Sequence, residues 1–145
     1  IDTAWTGFSS SQHQGWNKVP LLNWGQITRS ANGRSITRFV LADQKVSPYA
    51  YALSIEDESM EPVFPKNCLV IIEPQQTPVA FDYVVVKIQE SEIAIRQFMI
   101  IAQTQYLTPL NRKSGTIKEL LSEDLILGVV IRTIYERRII SKDGN

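Results

Sequence analysis

The chain has 145 residues, 43% of them hydrophobic and 21% charged, which is enough for one domain with its own core and too apolar for a disordered tail. Lys plus Arg number 15 and Asp plus Glu number 15, so the chain lacks the basic surplus of a domain that grips DNA phosphates by itself. No apolar run reaches the roughly 18 residues of a membrane span and nothing resembles a signal peptide, while the single cysteine, Cys68, has no partner for an internal disulfide; the expected compartment is the cytoplasm.

The chain opens with Ile1 rather than methionine, which suggests a fragment or a processed product. Residues 1–18 read as a linker or N-terminal arm, rich in Gly, Ser and Gln. Trp5, Phe8 and Trp16 punctuate it, as in a segment that folds back onto the body. His13, the only histidine, has no neighbours of metal-ligand type, so neither a zinc site nor a Ser-His-Asp triad is expected, and no cofactor is implied.

Residues 19–138 read as one domain. The run at 19–24, VPLLNW, carries Pro20 near its start and suits an edge strand. Residues 25–47 are polar, with Arg29, Arg34, Arg38 and Lys45 spaced as on a solvated face and a short strand at 36–41. Residues 50–55 alternate, and the turn Glu58-Ser59-Met60-Glu61-Pro62 follows. A serine at the end of a strand, in a turn closed by proline, can present its hydroxyl to a carbonyl; the plainer alternative is an ordinary turn residue.

After that turn the pattern is strand upon strand. Residues 68–73 are apolar and β-branched, with Cys68 expected as a small buried hydrophobe. Residues 74–78 break the run, and 82–89 with 92–98 form a predicted hairpin around Glu90 and Ser91. On its second arm Ile93, Ile95 and Gln97 point one way and Ala94, Arg96 and Phe98 the other. Residues 106–110 make a short strand, 111–115 a turn, 118–122 a hint of helix, 126–135 the longest β-branched run, and 139–145 a polar tail. The expected fold class is mainly β, with little helix.

Residues 46–70, VSPYAYALSIEDESMEPVFPKNCLV, resemble the C-terminal domains of the LexA family of repressors, above all those of prophages. Further stretches fit in the same order: VPLLNW resembles the strand leading to the family's self-cleavage site, residues 81–86 its Gly-Asp-hydrophobic strand, EIAIRQF the strand bearing its lysine, and YLTPLN and LGVVI its closing strands. The resemblance covers about residues 19–135. It implies the coiled antiparallel sheets shared with signal peptidase, and a Ser-Lys dyad in which Ser59 stands at the nucleophile. Lys66-Asn67 stands where the family often has Gly-Asp, and Phe81 replaces a glycine, both of them turn positions.

A serine becomes nucleophilic when a base takes its proton, and in a Ser-Lys enzyme that base is a lysine made neutral by burial. At the matching position the chain has Arg96, whose guanidinium stays charged. The residues matching the family's small-residue cleavage dipeptide are Ile27 and Thr28, both β-branched and bulky where close backbone approach favours small side chains. The resemblance therefore implies a dimerising regulatory domain of a LexA-like transcriptional repressor that has lost self-cleavage, with enzyme activity in question and leaning to none. It further implies a homodimer, contact with DNA only through a helix-turn-helix domain outside this chain, induction by an antirepressor or, in the SOS manner, a RecA-like activator, and no membrane association. Two alternatives stay open: an active autopeptidase using Lys87 or another lysine as base, and a UmuD-like polymerase accessory subunit.

Overall fold

The computed structural model describes residues 17–27, 36, 38–42, 45–90, 92–135 and 139–141. The linker calls at Trp5, Phe8, His13 and Trp16, the basic residues Arg29 and Arg34, and the predicted turn residue Ser91 lie outside the described residues, as does Thr28. The described chain is mainly β, in antiparallel sheets.

A small sheet is formed by β1 (Asn17–Pro20), β2 (Arg38–Ala42) and β10 (Ile139–Ser141), in the order β1-β2-β10. Pro20 thus sits on an edge strand, where its missing N–H costs no ladder bond. β10 lies inside the range expected to be a polar tail; it pairs with β2 through Ile139–Val40.

The large sheet contains β3 (Tyr51–Ser54), β4 (Leu69–Glu73), β5 (Tyr83–Ile88), β6 (Glu92–Ile101), β7 (Thr104–Thr108), β8 (Lys118–Glu119) and β9 (Leu125–Ile134), in the order β3-β4-β9-β5-β6-β7-β8. The expected helix at 118–122 is corrected. Lys118 and Glu119 pair with Leu107 and Tyr106, and Leu120 N–H donates to Gln105 O. A segment this short nucleates no helix of its own and takes the ladder that β7 offers.

The apolar pattern explains the packing. On β4, Val70 and Ile72 enter the main core with Leu53, Ile55 and Phe64, while Leu69 and Ile71 face the small sheet with Val19 and Val40. Both faces of β4 are buried, which is why LVII is a continuous apolar run rather than an alternating one. β5 divides in the same way, Val85 to the main core and Val84 with Val86 to a third cluster around Phe98 and Leu107.

Turn chemistry sets the strand order. Ala102 (φ 52°) and Gln103 (φ 69°) are both left-handed between β6 and β7, the backbone of a two-residue hairpin. Asn67 (φ 78°) and Phe81 (φ 76°) are left-handed too, so both turns keep a glycine-type backbone with other residues in it. At the turn between β5 and β6, the buried Asp124 carboxylate accepts from Gln89 N–H at 2.9 Å, and also from Leu121 N–H at 2.8 Å and Lys118 Nζ at 2.6 Å. Burial alone would raise its pKa, but those hydrogen bonds and the Lys118 charge hold it below the usual carboxylate value. No helix among the described residues is long and apolar enough to cross a membrane.

Candidate functional site

The serine turn joins β3 to β4, and its base is closed by two backbone bonds: Ile55 N–H donates to Cys68 O at 2.9 Å and Asn67 N–H to Ile55 O at 2.8 Å. Inside it Met60 and Phe64 are buried. Phe64 packs edge to face on Tyr83 of β5, ring centroids 4.8 Å apart. These apolar anchors fix the polar residues between them. Ser59 is only 5% exposed.

The turn is gripped from outside as well. Asn111, just past β7, donates its N–H to Ser59 O at 2.9 Å and its Nδ2 to Glu58 O at 2.9 Å. Asn111 therefore ties the serine turn to the β7 end of the large sheet.

Ser59 and Arg96, 37 residues apart, meet. Arg96 Nη1 donates to Ser59 Oγ at 3.1 Å and to Ile95 O at 2.8 Å. Arg96 lies on β6 opposite Val84 of β5 and is half-buried. Lys87 pairs with Ile93 and Leu125, three rungs along from the Val84–Arg96 pair, so the side chain at Ser59 Oγ is the arginine. Its permanent charge makes it a hydrogen-bond donor and never a proton acceptor.

The hydroxyl's other partner is Asp57. Ser59 Oγ donates to Asp57 Oδ1 at 2.8 Å, and Ser59 N–H donates to the same oxygen at 3.0 Å. Asp57 and Asn111 were not singled out by sequence reasoning. Asp57 carried a local signal, an aspartate two residues before a turn residue, which is the pattern of an Asx turn. Asn111 carried none, because its contacts span 53 residues.

Beside the serine lies a cavity of about 200 Å³, lined by Trp24, Ile55, Asp57, Met60, Ile93 and Ile95 among others. Trp24 is held over it by Nε1 donating to Ser54 O at 3.0 Å, in a short 3-10 turn (Trp24–Gln26) capped by Asn23. Ile27, the first of the two expected cleavage positions, is buried at 7% exposure in the main core, the same cluster as Met60.

Cys68, at the foot of the turn, is buried, and burial pushes its thiol up to about 11. No group of three His, Cys, Asp or Glu side chains among the described residues is placed to hold a metal ion.

Residues 24–131 match the family model described as Peptidase S24-like. A protein of Coxiella burnetii (strain RSA 493 / Nine Mile phase I), named as an uncharacterized HTH-type transcriptional regulator, is 32% identical over 130 residues, covering 83% of this chain and 60% of that protein. The chain thus spans about 60% of the length of that relative.

Proposed function

We infer function from one premise: this chain belongs to the Peptidase S24-like family. In our reading it is the C-terminal regulatory and dimerisation domain of a prophage-type, LexA-like transcriptional repressor, cytoplasmic, that no longer cuts itself. One observation carries the last clause. The hydroxyl at the family's nucleophile position receives a hydrogen bond from the guanidinium of Arg96 at 3.1 Å, where self-cleavage requires a neutral amine to take the proton away. Bulky Ile27, sunk in the core, is consistent with a chain under no demand to present a scissile bond.

The regulatory role is supported by the kinship with a protein named as an HTH-type transcriptional regulator. The rest of such a protein would supply the DNA-binding domain, and this domain would bring two copies together. Two tethered recognition helices engage a two-half-site operator with a large gain in effective concentration. The contact we favour is the run at 126–135, which β9 occupies up to Ile134. It is the longest β-branched run of the chain and ends at the exposed Tyr135. With self-cleavage gone, induction would fall to a docking protein such as an antirepressor.

Sedimentation equilibrium of the purified chain is expected to give twice the chain mass. Tyr135→Asp, at the exposed end of that run, is expected to shift it toward monomer. A single monomeric species at all concentrations would remove dimerisation from this reading.

A further inference from the structure

We propose that Asp57 is a second lock on Ser59, a positioning residue that keeps the serine unreactive even when a lysine stands at 96. The inference deepens the reading of this site as one that has lost self-cleavage, and rests on it. A serine that attacks a carbonyl or phosphoryl centre needs its proton drawn toward a base and an N–H donor free to meet the developing oxyanion. In this turn one carboxylate oxygen engages both: Asp57 Oδ1 accepts a hydrogen bond from the Ser59 hydroxyl at 2.8 Å and another from the Ser59 amide at 3.0 Å. A carboxylate is a far weaker base than a neutral amine, and its hydrogen bond turns the hydroxyl proton away from the side chain at 96.

The carboxylate also acts on whatever stands at 96. Asp57 Oδ1 and Arg96 Nη1 are hydrogen-bonded to the same hydroxyl oxygen, so the two side chains face each other across one atom. A lysine in place of Arg96 would meet an anion across that hydroxyl, and an opposite charge close by favours the charged amine. Reverting Arg96 to lysine therefore does not by itself supply a neutral amine at neutral pH while Asp57 remains. Asp57 lies exposed, so its substitution spares the core.

The test reads Ser59 reactivity without the self-cleavage loop as substrate. A small fluorophosphonate is added to wild type, Ser59→Ala, Arg96→Lys, Arg96→Lys with Asp57→Asn, and Arg96→Lys with Asp57→Gly, and labelling is followed by intact mass from neutral to alkaline pH. In the reaction the Ser59 Oγ–P bond forms, the P–F bond breaks, fluoride leaves, and the hydroxyl proton passes to the amine at 96. Asp57→Asn keeps the turn's acceptor and removes the charge, whereas Asp57→Gly removes both. Labelling of Arg96→Lys is expected only in alkali. The Asn double variant should label about tenfold faster at neutral pH, with its midpoint about one unit lower, and the Gly double variant at least as fast. Equal rates and midpoints for Arg96→Lys and its double variants would overturn the lock alone, as would double variants that label no faster than Ser59→Ala. Rapid neutral labelling of the wild type would overturn the lock together with the reading on which it rests.

Discussion

Gly128 sits where three strands converge, paired with Val85 on β5 and packed against the end of β4. A methyl group there would come within 2.5 Å of Ile72 Cγ2, 3.1 Å of Pro74 Cα and 3.3 Å of Glu73 O. Carbon atoms rest at about 3.5–4.0 Å, so the first contact has to open by roughly an ångström. Ile72 is fully buried and stiff about χ1, and the other two atoms are backbone; only a shift of β4 against β9 relieves them. Overpacking of this kind costs about 1–3 kcal/mol, offset by the roughly 0.5–1 kcal/mol that alanine gains over glycine within a strand. The expected net loss for Gly128→Ala is about 1–2 kcal/mol, or a fall in Tm of about 2–8 °C. Thermal unfolding followed by circular dichroism reads it directly. An unchanged or raised Tm would refute the packing argument, and with it the view that β9 clamps the strand after the serine turn to the β5–β6 pair carrying Arg96.

Two further outcomes follow from buried ionisable groups. Asp124 has a depressed pKa, so its stabilisation is present above the unfolded aspartate value near 3.9 and is lost as pH falls through its folded value. Asp124→Asn should cost about 1–2 kcal/mol at neutral pH, and the gap from wild type should close below about pH 4; parallel pH–stability curves would contradict this. Cys68, with its thiol at about 11 and its side chain buried, should resist a disulfide reagent at pH 8 in the native chain and react at once in urea. Stoichiometric modification without denaturant would show that the foot of the serine turn opens readily.

Much of this fold was legible because its strands obey period two or are buried on both faces. β4, β5 and β9 stand out as β-branched runs, and β6 alternates as expected, with Ile95 in the main core and Phe98 in the third cluster. The short pieces were not legible. Lys118–Glu119 has the residues of a helix and becomes a strand only because β7 supplies a ladder, and Ile139–Ser141 is recruited by β2 from a polar context. At Phe81, where the family resemblance has a glycine, the backbone stays left-handed and the ring is exposed. The site divides in the same way. Ser59 and Arg96 came from the family resemblance, since no periodicity relates residues on different strands. Asp57 lay beside Ser59 in plain sight, yet its hold on both the amide and the hydroxyl depends on turn dihedrals that only the folded chain displays.

In our reading, Arg96 deprives Ser59 of the amine base that self-cleavage needs. The most direct test of that reading is the intact mass of the wild-type chain and of Ser59→Ala after long incubation from neutral to strongly alkaline pH. The chain is expected to keep its full mass throughout, indistinguishable from Ser59→Ala. A fragment beginning at Thr28 that forms in the wild type and not in Ser59→Ala would contradict it, and would mean that another group takes the proton from Ser59.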